Sequence, residues 1–149
     1  MKQIKTYHKN GKLKEQYHVL NGECHGEYKE WHPNGELYIH AHYEHNQRHG
    51  EYKEWYEHGQ LNTHTHYEHD KRHGERKLWY ANGELNIHTH YTNGKRHGEY
   101  KTWNRRGKLT NHSFWAHNRE VTEHVKNLIT DINHITQEER TLLKGAIGC

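Results

Sequence analysis

Apolar side chains are sparse in this chain, and they return in columns 24 residues apart. Leu13, Leu37, Leu61, Leu85 and Leu109 form one column, and Tyr7, Trp31, Trp55, Trp79 and Trp103 another. Between them runs a glycine column, Gly11, Gly35, Gly59, Gly83 and Gly107. The stretches HGEYKEWHPNGEL from His25, HGEYKEWYEHGQL from His49, HGERKLWYANGEL from His73 and HGEYKTWNRRGKL from His97 align without insertion or deletion. A truncated copy, IKTYHKNGKL, starts at Ile4. Self-similarity at this period marks a repeat protein, whose units bury their apolar faces only against their neighbours.

Inside a unit the pattern has period two. Leu37, Ile39, Ala41 and Tyr43 alternate with Tyr38, His40 and His42, as in a strand with one buried face. Leu61, Thr65 and Tyr67 against His64 and His66 repeat the pattern, as do Leu85, Ile87 and Tyr91 against His88 and His90. In the other strand, EYKEW, Tyr52 and Trp55 have opposite parity, so aromatics face both sides unless a bulge intervenes. Gly26, Gly50, Gly74 and Gly98 open that strand, which suggests either close backbone approach or a bulge.

The turns complete a β-hairpin in each unit. Asn-Gly after the aromatic strand end suits a type I turn closed by a left-handed glycine, in a three-residue loop. Pro33 fits the first corner of that turn, where its fixed φ is already right. The opposite turn has a column of Gly22, Asn46, Asp70, Gly94 and Asn118. These residue types tolerate a positive φ. The first copy deviates, with Glu15 at the Ile39 position and Val19 at the Tyr43 position, as terminal repeats do.

From about Asn118 the period changes. Val121, Val125, Leu128, Ile129 and Ile132 follow helical spacing. Thr136 and Glu139 make a capping box ahead of a second short helix carrying Leu142, Leu143 and Ala146. The expected organisation is a hairpin array over 1–117 and a helical cap over 118–149. The cap covers the open edge of the last hairpin, or it is a docking or dimerisation helix.

Composition changes little in this picture. The chain has 149 residues, 30% of them hydrophobic, and a mean hydropathy of -1.47. Alone, those values suggest disorder. The periodicity overrules them, because five Trp and eleven Tyr can build a thin core from few side chains. The net charge of +3 comes from 22 basic and 19 acidic residues, interleaved along the repeats, so nucleic acid is an unlikely partner. Residues 1–10 lack the apolar core of a signal peptide, and no run is as long as a membrane span. Cys24 and Cys149 do not form a disulfide framework. The expectation is an intracellular, cytoplasmic protein with reduced thiols.

The unit YxxNxxHGEYKEWYxNGQL resembles MORN repeats, in the variant of bacterial antitoxin-like proteins that is also expanded in large DNA viruses of amoebae. The resemblance covers residues 4 to about 115, and Arg76 departs from it where Tyr28, Tyr52 and Tyr100 stand in the other copies. It implies a mainly β fold, an elongated, twisted antiparallel sheet of consecutive hairpins with a short helical cap. It also implies scaffolding, dimerisation or membrane-lipid association, in host cytoplasm or virion if the protein is viral. In some relatives a kinase or methyltransferase domain follows the repeats; here only the helical segment does.

Histidine is the compositional anomaly, at 20 residues. His40 with His42, His64 with His66 and His88 with His90 form HxH pairs. Alternation puts both imidazoles of a pair on one face, Cα atoms roughly 6.5 Å apart. Such a pair can chelate zinc, given further ligands. Equivalent strands lie roughly 10 Å apart, with a strand between them, so neighbouring pairs do not converge. A middle-strand carboxylate such as Glu30 or Glu54 would have to complete a site. The plainer alternative is duplication of a tolerated polar residue. His25, His49, His73 and His97, each before glycine, are expected to stabilise turns. Imidazoles ordinarily titrate near pH 6.5, so solubility or assembly is expected to change on acidification to about pH 5.

Catalysis finds no foothold. Ser113 is the only serine and has no nucleophile elbow. Cys24 and His25 are adjacent in a strand and so point apart. There is no phosphate-binding glycine motif. The leading expectation is a non-catalytic scaffold that binds a protein partner, with Trp31, Trp55, Trp79, Trp103, Tyr52 and Tyr100 as candidate binding aromatics. Self-association through the lysine-flanked strand at residues 4–7, or through the C-terminal helix, is a second expectation. A peripheral membrane module is weaker, because Lys and Glu interleave. A zinc-binding protein built on the HxH strands is the remaining alternative.

Overall fold

The computed structural model describes residues 1–121. They form one open antiparallel sheet whose strands follow one another in chain order: β1 (Lys2–Tyr7), β2 (Leu13–Leu20), β3 (Glu23–Trp31), β4 (Leu37–Glu44), β5 (Gln47–Trp55), β6 (Leu61–Glu68), β7 (Lys71–Trp79), β8 (Leu85–Thr92), β9 (Lys95–Trp103), β10 (Leu109–Ala116) and β11 (Arg119–Val121). Every connection is a hairpin, and wide and tight turns alternate along the chain.

The wide turns follow the Asn-Gly pattern. In the first, the Gly11 N–H donates to the His8 carbonyl at 2.9 Å, and the His8 N–H donates to the Lys12 carbonyl at 2.8 Å. Gly11 closes the loop with φ +83°, as a three-residue type I plus left-handed glycine loop requires. The tight turns have two central residues, both with positive φ: Asn21-Gly22, His45-Asn46, His69-Asp70, Asn93-Gly94 and His117-Asn118. This is the twist-matched type I′ hairpin. The second residue of each pair is the column expected from the sequence. The first, which includes three histidines, was not expected, although His is among the side chains enriched at positive φ.

The His-Gly-Glu stretches are bulges. Ala41 pairs with Tyr52 and Tyr43 with Arg48, so His49, Gly50 and Glu51 together oppose the single residue His42. A Cβ on Gly26 or Gly74 would meet nothing within 4 Å, while their φ values are +84° and +75°. Backbone conformation, not close approach, selects glycine there. The bulge adds two residues, so it preserves parity, and Arg48 and Tyr52 share a face.

The register then defines that face. Ile4, Tyr17, Tyr28, Ala41, Tyr52, Thr65, Arg76, Thr89, Tyr100 and Ser113 pair successively across ten strands. Large and small residues alternate from Tyr28 onward, so bulky side chains roof the small ones. Ala41, Thr65 and Thr89 are 1–3% exposed within a single layer. Tyr67 and Tyr91 complete the core from the next row. The tryptophan column is only half-buried and Leu109 is 46% exposed, so the core is centred on tyrosine and threonine rather than on the Trp and Leu columns.

One boundary moves. Residues 118 onward were assigned to the helical cap, but Asn118 completes a type I′ turn and Arg119–Val121 return as β11 against β10. The positive φ of His117 and Asn118 reverses the chain and extends the array past 117. The rest of the expected cap lies outside the described residues.

Candidate functional site

The sheet has two chemically distinct faces, and cross-strand pairing sorts the side chains between them. On one face Lys29, His40, Lys53, His64, Lys77, His88, Lys101 and His112 pair in succession. Beside that ladder, Glu27 pairs with His42, Glu51 with His66, Glu75 with His90 and Glu99 with Phe114. Each of these glutamates binds the lysine two residues on and a diagonal histidine. Glu27 lies 2.7 Å from Lys29 and 3.0 Å from His40, and Glu75 lies 2.9 Å from Lys77 and 2.7 Å from His88. The lysine hydrogen bond is the main reason that the carboxyls of Glu27, Glu51, Glu75 and Glu99 are held below their ordinary pKa, against an opposing desolvation. This face compensates its own charge.

The HxH pairs occupy this face. The rings of His40 and His42 are 5.5 Å apart and those of His88 and His90 5.1 Å. Glu30 and Glu54 are not available to them: both sit opposite Ile39 on the other face, where Glu30 accepts a hydrogen bond from the Tyr28 hydroxyl. The neighbouring glutamates of the bulges, Glu27, Glu51 and Glu75, stand beside the imidazoles instead. Among the described residues one group brings three ligand atoms together, Glu75, His88 and His90, all within 4.8 Å of one another.

The other face carries the tyrosines and a column of arginines that sequence reasoning missed. Arg48 lies 4.3 Å above the Tyr67 ring, Arg72 5.5 Å above Tyr91 and Arg96 4.6 Å above Trp115, each a cation–π contact. The signal was present: an arginine precedes His49, His73 and His97. Arg48 is neutralised by Asp70 of the next tight turn at 2.8 Å. At the position corresponding to Asp70, the next repeat has Gly94, so Arg72 has no such partner. Arg76 stands next to it in the tyrosine row, where burial, and secondarily the Arg72 charge, pull its pKa down. The Nε atoms of Arg72 and Arg76 are both buried without a hydrogen-bond partner. Burial also pushes the Tyr28 and Tyr52 hydroxyls far above their ordinary range.

The candidate aromatics do not make one stripe. Tyr52 and Tyr100 belong to the tyrosine row. Trp55 follows Tyr52 by three residues with none inserted in β5, so Trp31, Trp55, Trp79 and Trp103 have the opposite parity and sit at the wide-turn ends. Their backbones link the repeats: the Trp79 carbonyl accepts from the Tyr56 hydroxyl and the Trp103 carbonyl from the Tyr80 hydroxyl, each at 2.9 Å. His32 Nε2 lies 3.0 Å from the Trp55 carbonyl. At the tight turns His49 and His69 have rings 5.1 Å apart, as do His97 and His117. Ser113 is buried, and its hydroxyl accepts from Trp115 Nε1 at 3.0 Å.

A single open sheet of 24-residue hairpins, tied turn to turn, is the architecture of a β-hairpin repeat protein. The model of the MORN repeat variant matches residues 3–21, 25–45, 48–69 and 72–93. These stretches make up more than half of the chain, which therefore belongs to the MORN repeat family. No curated protein matches it. All-β MORN arrays are typically non-catalytic.

Proposed function

We propose that the protein is a non-catalytic scaffold whose tyrosine–arginine face docks an acidic segment of a protein partner. One observation carries this reading: Arg72 and Arg76 are neighbouring guanidiniums, part-buried, with no carboxylate partner among the described residues. Part-buried cations without a counter-charge carry a desolvation cost in the free protein. A carboxylate arriving from outside would remove that cost through bidentate hydrogen bonds. Beside them an open hollow of about 290 Å³ is lined by Arg48, Tyr67, Asp70, Lys71, Arg72 and Gly94. Tyrosine and arginine are also the side chains that dominate the energetic centres of protein interfaces. The opposite face, whose glutamates already hold its lysines, offers less to a partner.

The test is fluorescence anisotropy with a short labelled peptide that alternates glutamate with aromatic residues. Saturable binding that weakens with salt and is lost in Arg76→Tyr supports the reading. Equal binding by wild type and Arg76→Tyr, or equal binding of the glutamine version of the peptide, overturns it. If anionic vesicles are bound and the peptide is not, the face is a membrane surface instead.

A further inference from the structure

We propose that Glu75, His88 and His90 form a binding site for a zinc ion on the face opposite the arginines. The inference is independent of the partner-docking reading. His88 and His90 project from β8 on one side, and Glu75 enters from the bulge of β7 directly opposite His90. Two imidazoles and one carboxylate are a donor set zinc takes readily, with water in the fourth position. Zinc–ligand distances of about 2.0–2.2 Å imply ligand atoms about 3.4 Å apart around a tetrahedral ion. The three ligand atoms already lie within 4.8 Å, so closure needs only small side-chain movements.

Two features of His88 single out this repeat. His88 is the least exposed of the ladder histidines, at 21% against 30% for His40, 34% for His64 and 36% for His112. Its Nε2 is shut off from solvent, with a Glu75 oxygen 2.7 Å away. Zinc would take the place of that contact, opening it from 2.7 Å toward about 3.4 Å. Glu75 meets Lys77 through its other oxygen, which orients the carboxylate and leaves Oε1 toward His88. The Lys77 ammonium opposes the ion electrostatically, so the site is expected to hold zinc less tightly than a structural four-ligand centre. Glu75 is 45% exposed, so the ion can reach the site from solvent.

The array contains its own control. Glu99 and His112 repeat the arrangement one unit further on, but Phe114 stands opposite Glu99 where the site has His90 opposite Glu75. Phenylalanine is therefore compatible with this strand position, and His90→Phe should leave the sheet intact.

The experiment is a calorimetric titration of zinc into the metal-free full chain at neutral pH, with a weak competing chelator. Far-UV circular dichroism checks the fold of each variant. One site above the background of this histidine-rich chain is expected. His90→Phe and Glu75→Gln should each weaken it at least about tenfold, since even outer-shell changes cost that much. The matched His66→Phe variant should leave it unchanged. A cobalt-loaded wild type should show tetrahedral visible absorption that His90→Phe lacks. The proposal is overturned if His90→Phe binds zinc as the wild type does, if His66→Phe loses as much, or if binding is weak and spread over many histidines.

Discussion

Truncating Tyr67 to alanine tests the assignment of the core. Tyr67 is 6% exposed, packs edge-on against Tyr52 at 5.7 Å between centroids and lies under the Arg48 guanidinium at 4.3 Å. No second layer among the described residues could move in to fill the space. Large-to-alanine changes of buried aromatics cost ~3–5 kcal/mol, and Tyr67→Ala belongs in that range. Unfolding entropy of about 2.1 cal/mol/K per residue converts this to a Tm loss of roughly 10–20 °C for a sheet of this size. Tyr67→Phe keeps the ring and should lose no more than about 1 kcal/mol. Trp55→Ala should cost less than Tyr67→Ala, because Trp55 is half-buried at a strand end. The assay is urea unfolding of the full chain followed by circular dichroism. A near-silent Tyr67→Ala beside a severe Trp55→Ala would refute the assignment and return the core to the tryptophan column.

Three further outcomes follow from the same geometry. Arg76→Tyr restores the residue found at Tyr28, Tyr52 and Tyr100 and removes a part-buried cation whose Nε has no hydrogen-bond partner, so it should raise stability by about 1–2 kcal/mol in urea unfolding. Gly74→Ala meets open space but keeps φ at +75°, so it should cost about 1–2 kcal/mol from backbone strain alone, and Gly74→Asn less. The carboxyls of Glu27, Glu51, Glu75 and Glu99 are held below their ordinary value of 4.5, so their contribution is complete above that value and is lost as pH falls through the lower folded values. Urea midpoints should drop as pH falls below about 4.5, and a Glu51→Gln chain should show a shallower fall in that range.

Much of the fold was legible because each repeat restates it. The Gly11 column fixed the wide turn and the Asn46 column one positive φ of the tight turn, since few residues accept that conformation. Alternation along Leu37–Glu44 identified the inward positions. What escaped depends on partners across strands. Whether His-Gly-Glu was bulge or close approach could not be read from one strand, because register is a property of two. Glu30 and Glu54 stood as the carboxylates to complete a histidine site until pairing put them with Ile39. Arg72 was invisible as a candidate because its isolation comes from Gly94 standing where Asp70 stands one repeat earlier. At 119–121, three residues of the helical pattern belong to a strand because a type I′ turn precedes them.

The central claim is that the tyrosine–arginine face receives a protein. The most direct measurement is affinity capture from intracellular lysate with chelator present, using wild type, Arg76→Tyr and His64→Ala as baits and mass spectrometry as the readout. The account predicts a small set of acidic proteins held by wild type and by His64→Ala on the opposite face, and released by Arg76→Tyr. The same set on all three baits, or loss with His64→Ala alone, would contradict it.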